Sequence, residues 1–163
     1  MFDYTALDGK DATPSDVNQF VRLVTHGGAV KEHFVRQGVR HDGAKLVFAR
    51  SEEITVGVAA LKVPVMTYRN GIAHASKSGH PLPADQYPFE LGYVAVSEAH
   101  GQRGIASTLI SQVIELAKGS GLFATTSNPA MMGTLLPRAG FKRVGTSWLN
   151  DDDEQLHLYI LDQ

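Results

Sequence analysis

One stretch constrains this chain more than any other: residues 89–118, FELGYVAVSEAHGQRGIASTLISQVIELAK. The apolar run around Val94 and Val96 reads as a buried strand, and Gly101 and Gly104 mark a turn. Beyond it Ile105, Leu109, Ile110, Val113, Ile114 and Leu116 recur in one broad stripe of helical period. A helix with such a stripe packs on a sheet, so its N-terminus points back along the turn. That end offers unpaired N–H groups and the positive pole of the helix dipole, a combination that suits phosphate. Gly104 and the small Ala106 let the backbone approach a ligand closely, while Gln102 and Arg103 add a donor and a charge. Glu90 places a carboxylate near the strand's start. The segment points to an enzyme that holds a phosphorylated cofactor beside a general base.

A plain strand–helix connection is the competing reading of the same glycines. Two common nucleotide motifs are excluded: no Lys-Ser/Thr follows the second glycine, and G-x-G-x-x-G is absent.

At 163 residues the chain is expected to form one domain, residues 1–163, large enough for a sizeable core. A net charge of −2 gives no electrostatic reason to expect nucleic acid or an anionic membrane as partner. No apolar run approaches the roughly 20 residues of a membrane span. The opening MFDYTALDGKD lacks the basic-then-apolar pattern of a secretory signal. The chain has no cysteine, which removes disulfides, thiolate catalysis and cysteine metal sites. A cytoplasmic protein is expected, and a homodimer stays open.

Along the chain, a strand over residues 2–7 leads to a helix started by Thr13 as cap, Pro14 at the first position and Asp16 in the first turn. Val17, Phe20, Val21 and Val24 set its buried face, and His26-Gly27-Gly28 ends it. A second helix is expected over residues 29–37. Residues 46–50 and 54–63 read as a hairpin of two strands. Residues 64–88 read as a long functional loop in which Asn70-Gly71 could close a small hairpin. A strand over 122–126 precedes a helix that Asn128-Pro129 starts, Pro137 shortens or kinks, and Gly140 ends. Strands over 141–148 and 155–161 flank an acidic turn. The order β-α-α-β-β-β-α-β-α-β-β describes a mixed α/β layered domain.

Residues 90–106 resemble the central motif of the GNAT superfamily of N-acetyltransferases, whose loop reads Q/R-x-x-G-x-G/A. Here it reads Gly101-Gln102-Arg103-Gly104-Ile105-Ala106. The resemblance extends over the order of elements and through Asn128-Pro129-Ala130 to Gly140-Phe141. Gly101 stands where the family usually has Gln or Arg, which removes a side-chain contact and leaves the backbone cradle. The resemblance implies an α/β, single-domain GNAT fold: a mixed, mostly antiparallel central sheet flanked by helices and splayed at the acyl-CoA site. It implies acetyl-CoA as co-substrate, with Val94 and Val96 contacting pantetheine and Gln102, Arg103, Gly104, Ile105, Ala106 and Ser107 holding the pyrophosphate. Asn128 matches a recurring asparagine near the cofactor's thiol arm; simple helix capping explains it equally well.

Glu90 resembles in placement the catalytic glutamate of protein-lysine-acetylating members. The chemistry needs such a group, because a lysine-like amine of pKa near 10.4 is only about one part in 10³ neutral at pH 7. A carboxylate, directly or through water, can take the proton as the amine attacks a thioester. The alternative is a glutamate merely exposed at a strand end. The family often supplies a tyrosine acid where this chain has Leu136, so Tyr93, Tyr159, His157 and solvent remain as proton donors to the leaving thiolate. The implied activity is transfer of an acetyl group to a primary amine by direct attack in a ternary complex. The missing tyrosine keeps open a catalytically weak or inactive module that binds or senses acyl-CoA.

No metal is expected: His74 and His80 share a loop, but no H-E-x-x-H or i, i+4 histidine pair exists. The run Asp151-Asp152-Asp153-Glu154 lacks the glycine and spacing of a calcium loop and reads as a solvated hairpin turn. No G-x-S-x-G turn supports a serine hydrolase. Tyr68, Arg69, His74, His80, Asp85 and Tyr87, all in the stretch ending just before Glu90, are substrate-contact candidates as a group. The acceptor amine itself is left open.

Overall fold

The computed structural model describes residues 1–26 and 30–163. The fold is mixed α/β; among the described residues seven strands are hydrogen bonded in the order β1-β2-β3-β4-β5-β7-β6, mostly antiparallel. The chain forms two compact units, Met1–Val63 with Leu91–Leu116, and Pro64–Glu90 with Ala117–Gln163.

In the first unit β1 (Asp3–Asp8) pairs with β2 (Lys45–Ser51), and β2 pairs with β3 (Ile54–Lys62) as the expected hairpin. Helix α1 (Pro14–Thr25) begins as the sequence requires. Thr13 Oγ1 accepts the Asp16 N–H and Asp16 Oδ2 accepts the Thr13 N–H, both at 3.0 Å. Its inward positions Val17, Phe20 and Val21 are buried with Leu46, Phe48 and Val58. Helix α2 spans Glu32–Val39; the helix stop at Gly27-Gly28 and the helix start at Ala29 lie outside the described residues. The helix formed by Ile105–Leu116, designated α4, packs its Ile105–Leu109 edge on β3. A Cβ at Gly57 would stand 2.9 Å from Ile105 Cγ2 and 3.0 Å from Leu109 Cδ1, so a side chain there would force α4 side chains to shift. Strand β4 (Phe89–Val96) leads into that helix.

The second unit contains α3 (Met66–Ala73), β5 (Leu122–Thr126), β6 (Lys142–Leu149) and β7 (Gln155–Leu161). The first two residues of β4 pair parallel with β5, Phe89 with Leu122 and Glu90 with Phe123. Ile72, Leu82, Tyr87, Phe123, Trp148, Leu158 and Ile160 form its core.

Two local expectations change here. Residues 64–88 are not a structureless loop, and Asn70-Gly71 closes no hairpin, because α3 runs through that pair. Asn and Gly are poor helix formers, and the helix exists because Arg69 and Ile72, three apart on one face, are both buried. Lys77 and Ser78 are bound to β6, where Gly145 at φ +69 lies at an interruption of the β6–β7 register. The Thr146 N–H then donates to the Ser78 carbonyl at 2.9 Å. The helix expected after Asn128 does begin at Pro129, but it winds as a π-helix over Met131–Leu135 before a final α turn, Leu136–Arg138 (α5). Pro137 has no N–H for an i→i−4 bond and its ring crowds the preceding turn, which favours the wider winding.

Candidate functional site

The sequence-derived site residues divide between the two units. Val94, Val96 and residues 102–107 belong to the first, Glu90 and Asn128 to the second.

In the first unit, β4 departs from regular strand geometry at Tyr93, a non-glycine residue at φ +55. Its ring packs edge-on against Phe20 with centroids 6.0 Å apart, and Lys62 Nζ lies 4.5 Å from the ring centre. The Tyr93 hydroxyl sits where a side chain at Gly38 would be, so this acid candidate is held against α2. Val94 and Val96 are half-buried on the strand that follows.

After β4 a short 3₁₀ turn, Glu98–His100, is braced by Ser97 Oγ and His100 Nδ1 at 2.7 Å. The chain then takes two left-handed residues, Gln102 at φ +62 and Gly104 at φ +77. Thr108 donates through both its N–H and its Oγ1 to the Gly104 carbonyl, each at 3.1 Å, which makes Gly104 the cap of α4. The N–H groups of Ile105, Ala106 and Ser107 therefore open the helix with no intrahelical acceptor. Gly101, Gln102, Arg103 and Gly104 are exposed, and a Cβ added at Gly104 would meet nothing within 4 Å. Open space above a fan of amides at a helix head fits a diphosphate.

In the second unit Glu90 is only 3% exposed, which overturns the picture of a glutamate left in solvent at a strand end. The Tyr68 hydroxyl, from α3, donates to Glu90 Oε2 at 2.8 Å. The adjacent Arg69 is also buried. Its Nη1 donates to the carbonyls of Tyr87 at 2.6 Å and Leu82 at 3.2 Å, and Nη2 to that of Pro88 at 3.4 Å. The guanidinium carbon lies 5.5 Å from the centre of the Phe123 ring. Burial holds the Arg69 pKa below its ordinary value, and the charge of Glu90 opposes that shift.

These contacts sort the loop candidates. Arg69 and Tyr87 are structural rather than substrate-facing, whereas Tyr68 reaches the carboxylate. His74 is bound to Ser76 and His80 to the Pro81 carbonyl, and no cluster of metal-ligating residues occurs among the described residues. Asn128 Oδ1 accepts the N–H groups of Ala130 and Met131 at 2.9 and 3.1 Å, the capping role its position allowed. The acidic run forms a hairpin turn in which Asn150 Oδ1 accepts from Asp152 and Glu154.

A model of the Acetyltransferase (GNAT) family matches residues 30–141, more than half of the chain. The chain belongs to that family.

The solved structures agree on the fold. An acyl-CoA N-acyltransferase from Pseudomonas aeruginosa superposes with a TM-score of 0.71 at 16% identity, covering 99% of each chain. A ribosomal-protein-alanine N-acetyltransferase from Brucella melitensis gives 0.68 at 18% identity, covering 100% of this chain and 99% of its own. A chain of the NatC complex bound to Gag peptide and CoA gives 0.69 at 14% identity over 99% and 98%. No curated protein matches the sequence. The chain is a GNAT acyltransferase, and the family uses acyl-CoA donors.

For a GNAT acyltransferase the remaining acid candidates lie in the second unit. Leu136, at the position of the family's usual tyrosine, is fully buried and apolar. The Tyr159 hydroxyl is turned to the Met132 carbonyl at 3.4 Å. His157 is bound to Arg143, and burial together with that cation holds its pKa below the usual imidazole value.

The sequence reading missed the pairing of Tyr87 with Asp162, 75 residues apart, in which the phenol donates to the carboxylate. Burial first, and Asp162 second, push the Tyr87 pKa up to about 12. An unfolded tyrosine titrates near 10. Because the folded value is the higher one, this contribution is whole below pH 10 and is lost as pH rises toward 12. Denaturant midpoints are expected to fall across that window, and Tyr87→Phe should flatten the fall.

Proposed function

We propose that this protein is an acetyl-CoA-dependent N-acetyltransferase, a single GNAT domain over residues 1–163, that acetylates a primary amine by direct attack in a ternary complex. The observation that carries the reading is the exposed turn at the head of α4, with left-handed Gln102 and Gly104 opening the amides of Ile105, Ala106 and Ser107. Those amides and Arg103 would hold the pyrophosphate, and the main chain at Val94 and Val96 would pair with pantetheine. Asn128 would lie near the thiol arm while keeping its cap. When bound, acetyl-CoA supplies an activated acyl carbonyl. The protein's contribution is to orient and desolvate the amine and to remove its proton at Glu90. The Brucella neighbour named for acetylating a ribosomal-protein alanine, and the NatC neighbour with CoA, support an amine acceptor and this donor. The proposed setting is the cytoplasm, in keeping with a chain free of cysteine.

Leu136 supports a second reading, an acyl-CoA-binding module with little or no turnover, since no acid occupies that position. Thiol release from acetyl-CoA against a broad amine panel separates the two. Release with at least one amine supports the enzyme, whereas tight CoA binding without release on any amine supports the module. Gly104→Val tests the cradle: it forces a branched residue to φ +77 and fills the open space. CoA affinity by calorimetry should fall roughly tenfold or more, about 1.4 kcal/mol at the least. Unchanged affinity would place the pyrophosphate elsewhere.

A further inference from the structure

Glu90 is a poor match for a base that meets its substrate directly. It is 3% exposed, so an amine arriving from solvent has almost no surface of this residue to touch. Tyr68 is different: it is 41% exposed, yet its hydroxyl is 2.8 Å from Glu90 Oε2. One side chain therefore faces both solvent and the buried carboxylate. Val65 and Met66, at the start of α3, are also exposed, at 51% and 55%. Arg69, the next residue, bonds the Tyr87 and Pro88 carbonyls immediately before β4. Consecutive residues of α3 thus hold the approach to Glu90 and the carboxylate itself.

From this geometry we infer that Tyr68 is the proton relay between the acceptor amine and Glu90. This inference rests on the acetyltransferase reading above. As an N–H bond of the acceptor ammonium breaks, its proton goes to Tyr68 Oη. At the same time the phenol's own O–H bond breaks and that proton goes to Glu90 Oε2. The ammonium becomes a neutral amine, the carboxylate becomes a carboxylic acid, and the tyrosine ends as it began. Charge balances, a cation and an anion giving two neutral groups, and Glu90 later returns the proton to solvent. Both transfers occur together, so neither tyrosinate nor protonated phenol forms, and the uphill passage from an ammonium to a carboxylate is completed as the nitrogen attacks the thioester carbonyl.

Tyr68→Phe removes the hydroxyl and keeps the ring. It is expected to lower kcat by roughly 10²–10⁴-fold, comparable to Glu90→Gln, with calorimetric CoA affinity unchanged. In a Glu90→Gln background the same substitution should have no further effect, because relay and base act as one unit. A readout independent of turnover is the ¹³Cζ resonance of Tyr68 in tyrosine-labelled protein, assigned by its absence in Tyr68→Phe. It should move when Glu90 becomes Gln. Full kcat in Tyr68→Phe, an equal penalty in the Glu90→Gln background, or a resonance that does not move would each overturn the relay while leaving the acetyltransferase standing. Wild-type protein that releases no thiol with any amine overturns the function and the relay together.

Discussion

Glu90→Gln is expected to lower kcat for thiol release by roughly 10²–10⁴-fold, the range of a lost general base. The substitution keeps the size of the side chain and an oxygen that can accept the Tyr68 hydroxyl, so the contact at 2.8 Å has a neutral counterpart. What disappears is the capacity to take up a proton. The acceptor then has to reach its neutral form in water, where an alkylamine of pKa near 10.4 is about 10³-fold disfavoured at pH 7. CoA affinity should not change, since the amides at the head of α4 do not depend on that charge. The signature is a fall in kcat that shrinks as the assay pH approaches the acceptor's own pKa. Turnover at neutral pH equal to wild type would remove Glu90 from the mechanism.

The second large effect is on stability. Arg69→Met is expected to cost about 3–5 kcal/mol, the scale for removing one member of a buried charged network. Methionine fills much of the volume but donates no hydrogen bond. The carbonyls of Leu82, Tyr87 and Pro88 lose the guanidinium donors at 3.2, 2.6 and 3.4 Å. Glu90 loses the nearby cation as well. For a chain of this size each kcal/mol is worth about 2–4 °C, so a thermal melt should drop by roughly 6–20 °C. A loss under about 1 kcal/mol would mean that water satisfies those carbonyls, and that Arg69 is not what ties 82–88 to α3.

α1 was legible because its signals are local: Thr13 as cap, Pro14 at the first position and Asp16 in the first turn, then apolar residues at helical spacing. The β4–turn–α4 unit was legible for the same reason, since glycine turn, apolar stripe and strand lie within thirty consecutive residues and each signal agrees with the next. α3 was not legible. MTYRNGIA carries a turn-forming Asn-Gly and no strong helical pattern, and its helix depends on partners many residues away. Tyr87 with Asp162, and Ser78 with Gly145 and Thr146, are likewise pairings between distant segments that no local pattern announces. Pro137 was expected to disturb its helix; that the disturbance takes π form became visible only in the backbone.

The sequence by itself therefore determined the family, the α/β fold and the local unit on which the proposed chemistry rests: a glycine turn that opens a helix, and a carboxylate on the strand before it. Those are short-range facts of spacing and residue type. Only the tertiary structure decided the condition of that carboxylate. It buried Glu90, set the Tyr68 hydroxyl on it and turned Arg69 from a candidate substrate contact into an internal tie. The physical reason is that burial and hydrogen-bond pairing across distant segments depend on how the whole chain closes, not on neighbouring residue types.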